Sequence, residues 1–89
     1  MHFVYILRCC DDSLYTGYAR NPVEREKIHN CGRGAKYTAG RRPVTLVYCE
    51  QCDSLSEALK RERQLKGWTR AKKESLIERA PWSPSANMR

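Results

Sequence analysis

Tyr5, Tyr15, Arg25, His29 and Glu62 are the residues of this chain whose types and spacing could do chemistry. Phenols, a guanidinium, an imidazole and a carboxylate together suit hydrolysis of a phosphodiester. The attacking water must lose a proton, the phosphate must be held while charge develops on it, and the leaving oxygen needs a cation or an acid. Arginine clamps a phosphate through its forked donors. One carboxylate can hold one Mg2+ or Mn2+, with waters in the remaining positions. Two-metal nucleases need several clustered acids, and the sequence offers no such cluster: Asp11-Asp12 reads as a turn and the other acids as helix surface. For a nuclease, a single-metal site on Glu62 is the arrangement to expect. A tyrosine would be the general base. Free tyrosine has a pKa of about 10, so only about a thousandth is ionised near neutrality, and it needs positive charge nearby to serve. His29 would orient a phosphate oxygen or assist proton transfer.

The elements that must position these groups are legible in order. Phe3-Val4-Tyr5-Ile6-Leu7 is apolar on both faces, which predicts a central strand over residues 2–8. Asp11-Asp12-Ser13 is a polar turn. Leu14 to Tyr18 pairs back as an antiparallel strand, and Gly17 within it lets another group approach the backbone closely. Asn21-Pro22-Val23-Glu24 starts a helix, with asparagine as cap, proline at the first position and glutamate three after the cap. That helix runs to about Asn30, with a thin apolar face of Val23 and Ile28. Arg25 and His29 lie four apart and share one of its faces.

Asn30 to Pro43 is a basic, glycine-rich loop with Arg33, Lys36, Arg41 and Arg42 around Tyr37. Basic groups track phosphates, and an aromatic ring can stack on a base or cover a sugar. The loop fails the Walker A spacing. Val44 to Cys49 reads as an alternating third strand. Ser54-Leu55-Ser56-Glu57 opens a second helix whose apolar stripe is Leu55, Ala58, Leu59 and Leu65. Glu62 falls on that stripe. A carboxylate there is costly unless paired or bound to a cation, so it either bridges to Arg25 or a neighbouring lysine, or ligates a metal. Gly67 ends this helix. Thr69 caps a third over about Arg70 to Arg79, with Ala71, Leu76 and Ile77 inward and Trp68 at the junction. The order β-β-α-β-α-α predicts an α+β fold, a three-stranded antiparallel sheet flanked by helices. One domain over residues 1–80 and a loose proline- and serine-rich tail over 81–89 are expected.

The chain has 89 residues, 17 Lys+Arg against 10 Asp+Glu, and a net charge of +7. This excess favours nucleic acid as partner over an anionic membrane surface. No apolar run could span a bilayer and the N-terminus does not read as a signal peptide, so a cytoplasmic, soluble protein is expected. Five cysteines form an odd set that argues against a disulfide framework. Cys49 and Cys52 have CxxC spacing, but zinc needs two further ligands and no other pair repeats it. One thiol is expected to end the third strand and the other to sit in a turn.

Phe3-Val4-Tyr5, Tyr15-Thr16-Gly17 ten residues later, Arg25, His29 and Glu62 together resemble the GIY-YIG nuclease signature, in its small single-domain bacterial form. VYILRC, GAKYT, GRRPV, LVYCE and SEALKRE read like that subgroup, and the likeness covers residues 2–77. The resemblance implies a metal-dependent endonuclease. Tyr5 and Tyr15 would be the motif tyrosines, Gly17 the motif glycine, Arg25 the motif arginine, His29 the residue one turn on, and Glu62 the acid holding a single Mg2+ or Mn2+. Two departures stand out. Phe3-Val4 replace the Gly-Ile of the first tripeptide. Tyr18 stands where many family nucleases carry lysine, so the charge that activates a tyrosine would come from Arg20, Arg42 or the metal. The expected activity is cleavage of DNA, with single-stranded, branched or damaged DNA as candidate substrates and a partner protein as one means of targeting. The alternatives are a non-catalytic nucleic-acid-binding module of the same fold and a thiol-based metal or redox protein using Cys49 and Cys52.

Overall fold

The computed structural model describes residues 1–82. In chain order the elements are β1 (His2–Arg8), β2 (Leu14–Ala19), α1 (Pro22–Asn30), α2 (Lys36–Ala39), β3 (Thr45–Cys52), α3 (Leu55–Lys66) and α4 (Arg70–Arg79). The strands form one antiparallel sheet in the order β2-β1-β3, so the all-apolar β1 is central as expected. Val4 and Ile6 face a cluster with Ala58, Leu65, Leu76 and Ile77. Tyr5 and Leu7 face the opposite cluster with Ala19, Val44 and Leu46. Each fully buried aliphatic chain here contributes about 1.5–3 kcal/mol.

Local chemistry accounts for the turns and helix ends. In the hairpin, Asp12 takes a left-handed φ of 71°, which aspartate tolerates, and Asp11 Oδ1 accepts from Ser13 N and Oγ at 3.0 and 2.6 Å. Asn21, Ser54 and Thr69 each cap a helix by accepting from the backbone N–H three residues on.

β3 carries a bulge. Ile6 lies opposite Tyr48 while Leu7 lies opposite Leu46, which leaves Val47 as the extra residue. The bulge reverses the alternation, so Leu46 and Tyr48 join opposite clusters. The outer edge of this strand is covered rather than left open. Asn30 pairs with both backbone groups of Val44, at 2.7 and 3.0 Å. Glu26 Oε2 accepts from Leu46 N at 2.7 Å, and Trp82 N donates to the Val47 carbonyl at 3.2 Å. Two of these anchors lie on α1. They explain how a helix whose Val23 and Ile28 are only half-buried stays docked, with Pro22 and His29 as its buried residues.

Several expectations are corrected. The basic loop contains the short helix α2. β3 runs three residues further than expected, so Cys49 and Cys52 both belong to the strand rather than one lying in a turn. Leu55 and Leu59 are 44% and 41% exposed. The inward face of α3 is instead Ala58, Arg61, Glu62 and Leu65, because the helix meets the sheet through its middle and later turns. Ala71 is exposed, as it lies in the first turn of α4, away from the contact made by Leu76 and Ile77. Trp82, expected in a loose tail, packs against the Tyr5 cluster. The rest of that expected tail, 83–89, lies outside the described residues. Among the described residues no helix is long and apolar enough to cross a membrane.

Candidate active site

Tyr5 and Gly17 face each other across the β1–β2 pair. A Cβ at position 17 would lie 2.6 Å from Tyr5 Oη, so only glycine leaves room for the phenol to cross the neighbouring strand. Tyr15 lies on the same face, its ring centroid 6.5 Å from that of Tyr5. α1 lays His29 against both rings, at 6.1 and 5.1 Å between centroids. From the other side of the sheet, α3 contributes Glu62. The neighbouring Arg61 donates Nε to Glu50 of β3 at 3.0 Å. This anchor fixes the helix rotation, and Glu62, about 100° further round, turns toward β2. The groups meet in a cavity of about 260 Å³ lined by Tyr5, Tyr15, Gly17, Tyr18, Arg25, His29, Gly34 and Glu62. All six residues expected to form a catalytic centre are therefore brought together, from β1, β2, α1 and α3.

Two larger hollows lie elsewhere, but their arginines are already committed. Arg42 donates to the carbonyls of Ala39 and Asn30 in one. Arg8 and Glu74 form a two-pronged pair at 2.7 and 2.8 Å in the other. Arg25, by contrast, lines the smaller cavity and enters no ion pair among the described residues. Glu62 is the one carboxylate of the cavity lining. Its side chain is only 17% exposed, and it pairs with Lys66 at 3.3 Å. That is the lysine partnership weighed from the sequence, not a bridge to Arg25.

The imidazole is enclosed. His29 is 1% exposed. Its Nε2 lies 3.0 Å from Tyr5 Oη and its Nδ1 lies 2.7 Å from Thr38 Oγ1. Burial first, then the Arg25 charge, lowers its pKa below the ordinary histidine value, so the ring is neutral near pH 7. Both nitrogens are occupied within the protein, by Tyr5 and Thr38, so in this arrangement neither is turned toward a phosphate oxygen. Burial, and secondarily Tyr15, pushes the Tyr5 hydroxyl well above the ordinary tyrosine value, and Arg25 opposes that rise. Of the sources of positive charge expected for the tyrosine, neither Arg20 nor Arg42 acts on Tyr5; the guanidinium that does is Arg25, and a bound cation is the other source expected.

Arg20, Arg33 and Lys36, each within two residues of a cavity-lining position in the chain, are exposed and without ion-pair partners among the described residues. Tyr37 stacks on Tyr15, centroids 5.9 Å apart, and carries the Arg41 guanidinium 4.1 Å from its own centroid. Arg41 also bonds Asp11 and the Tyr37 carbonyl. Arg41, Arg42 and Tyr37 therefore fold the loop as well as offering charge or ring surface. Cys9, Cys10, Cys31 and Cys52 form no disulfide among the described residues; burial raises the pKa of Cys9, Cys49 and Cys52. Among the described residues no group of three His, Cys, Asp or Glu could hold a metal ion.

Two participants escaped the sequence reading. Gly34 closes the cavity against His29, and a Cβ there would overlap Nδ1 and Cγ of the ring. Thr38 is fully buried at the same ring. The only sequence signal for either was their place in GAKYT, noted as a resemblance and not as chemistry.

A small α+β domain that gathers two phenols, a guanidinium, an imidazole and a single carboxylate in one polar cavity is the build of a nuclease superfamily acting on nucleic acid. The GIY-YIG catalytic domain profile matches residues 1–75, and the chain belongs to the GIY-YIG family. It is 58% identical over 77 residues to a UPF0213 protein of Staphylococcus aureus strain Mu3, covering 86% of this chain and 94% of that one. The solution NMR structure of the UPF0213 protein BH0048 from Bacillus halodurans has 47% identity and a TM-score of 0.56, covering 86% of this chain and 82% of that one. That of the protein EF2693 from E. faecalis has 44% identity and a TM-score of 0.58 over the same shares.

Proposed function

We propose that residues 1–80 form a DNA endonuclease that hydrolyses phosphodiester bonds with one divalent cation, acting in the cytoplasm on single-stranded, branched or damaged DNA. The observation that carries this reading is the convergence of Arg25, free of any described carboxylate, and the inward Glu62 on the Tyr5–His29 pair. Glu62 fits Mg2+ or Mn2+: it presents hard oxygens to a polar cavity, and its one ion-pair partner is a half-exposed lysine that can swing away. When bound, the cation supplies positive charge at the scissile phosphate.

The chain's own residues would do the rest. Arg25 holds the phosphate and neutralises charge that develops on it. Tyr5 takes a proton from the attacking water as its own proton passes to Nε2 of neutral His29. The water oxygen bonds to phosphorus, and the bond to the leaving oxygen breaks with its electron pair. That oxygen takes a proton from solvent, and the imidazolium returns one. Tyr15 offers a second hydroxyl at the cavity wall. Arg20, Arg33 and Lys36 would track the backbone of the strand.

The deep burial of Tyr5 and the absence of a lysine after Gly17 favour one second reading, a nucleic-acid-binding module without turnover. Labelled single-stranded, duplex and forked DNA incubated with Mg2+ or Mn2+ separates the two. Wild type is expected to cut, Glu62→Gln to bind without cutting, and Arg25→Ala to lose about 100-fold or more in rate. Binding by all three proteins with no cleavage of any substrate would establish the second reading.

A further inference from the structure

Gly34 and Thr38, the two ends of the segment GAKYT, have no part in the function so far, yet both touch the imidazole. Gly34 provides the space in which the ring sits. Thr38, buried within α2, meets Nδ1 at 2.7 Å. Its Oγ1 also lies 3.1 Å from the Ala35 carbonyl. A carbonyl only accepts, so the bond to Ala35 uses the single hydroxyl proton of Thr38. Oγ1 then has only lone pairs to offer His29, and Nδ1 must carry the ring's hydrogen. In a neutral imidazole this leaves Nε2 bare, facing Tyr5 Oη at 3.0 Å.

We infer that Thr38 is a positioning residue that holds His29 in its Nδ1–H tautomer, so that Nε2 can accept the Tyr5 proton. The inference rests on the nuclease reading of this cavity only for its consequence in catalysis; the tautomer itself is a property of the folded protein. The opposite tautomer would donate from Nε2 to Tyr5 and would turn the Thr38 hydroxyl away from Ala35 toward Nδ1. Tyr5 could then hand no proton to the ring, and the path from water would be closed. The same four-residue helix carries Lys36 and Tyr37, the latter stacked on Tyr15. The segment that reaches toward the nucleic acid therefore also sets the direction of the proton path.

The test is long-range 1H–15N correlation of the histidine rings in the 15N-labelled full chain, with cleavage rates measured beside it. Wild type and Thr38→Ser are expected to show a protonated Nδ1 and a bare Nε2 at His29. Thr38→Val, similar in shape but without the hydroxyl, is expected to lose that preference and to cut about 10- to 100-fold more slowly, a partial loss that reaches only the lower end of the roughly 100- to 10,000-fold that a positioned proton acceptor contributes. Thr38→Ser should restore the rate. A wild-type His29 protonated at Nε2 overturns the inference whatever the variants do, including a Thr38→Val that fails to fold. So does a folded Thr38→Val that retains both the tautomer and the wild-type rate. Cleavage abolished by Glu62→Gln alongside an Nε2–H tautomer would sink this inference and leave the nuclease reading standing. An Nδ1–H tautomer in a protein that cuts nothing would do the reverse.

Discussion

Replacing Gly34 by alanine should destabilise the protein, against the usual effect of that substitution at a position with an ordinary backbone. Glycine to alanine normally stabilises by about 0.4–1 kcal/mol, because the unfolded chain loses freedom. Gly34 is not in the left-handed region, so the backbone itself would accept alanine. The new methyl group has no room, however: it would overlap Nδ1 and Cγ of His29, a ring already enclosed on all sides. The ring must move, and its bonds to Tyr5 and Thr38 are the ones that break. Leaving a buried polar group unpaired costs about 1–3 kcal/mol, so two broken bonds cost about 2–6. Subtracting the entropic gain of up to about 1 leaves a net loss of about 1–5 kcal/mol. Gly40 is the control, since a Cβ there meets nothing within 4 Å and φ is −93°. Gly40→Ala should be neutral or stabilise by up to about 1 kcal/mol. Urea unfolding followed by fluorescence of Trp68 and Trp82 gives both numbers. A Gly34→Ala protein as stable as Gly40→Ala would show that His29 is not locked in this pocket, and the proton path through it would lose its basis.

Other outcomes follow from the same packing. Arg8 holds the Glu74 carboxyl down at about 2, from 4.5, mainly through their direct hydrogen bonds. A lowered folded-state pKa stabilises fully above the ordinary value and is lost as pH falls toward 2; Glu74→Gln should therefore cost about 1 kcal/mol at pH 7, after discounting for the partly exposed pair, and flatten the loss of stability between pH 4.5 and 2 in acid titrations. Asn30→Ala would orphan both backbone groups of Val44 at a cost of about 1–3 kcal/mol; because α1 carries Arg25 and His29, cleavage should fall with it, and an unchanged melting temperature would show that α1 does not depend on this anchor. Thr16 is buried, and its hydroxyl has no hydrogen-bond partner among the described residues. Thr16→Val should stabilise by about 1 kcal/mol, and a loss of stability in urea would reveal a partner for that oxygen.

The sequence by itself determined whatever depends on neighbours along the chain. A cap and the backbone N–H three residues later are always close, so the starts at Asn21, Ser54 and Thr69 were readable. A run such as FVYIL, apolar at every position, short, and rich in β-branched and aromatic residues, reads as a strand covered on both faces. The carboxylate at Glu62 stood out because it falls three residues before Leu65, on a face that had to be buried. Tertiary structure decided the rest. Leu55 and Leu59 looked inward by spacing, but the contact centres on Ala58 and Leu65, and a few exposed leucines cost a helix little. The bulge at Val47 depends on how β1 pairs with β3, which no period along one strand can report. That His29 takes both its partners from inside the protein, that Arg25 supplies the charge beside Tyr5, and that Gly34 and Thr38 belong to the site are facts about distances between segments far apart in the chain. Hydrogen bonds and steric gaps of a few ångströms leave no periodic mark on the residues that make them, so they became visible only once the chain had closed on itself.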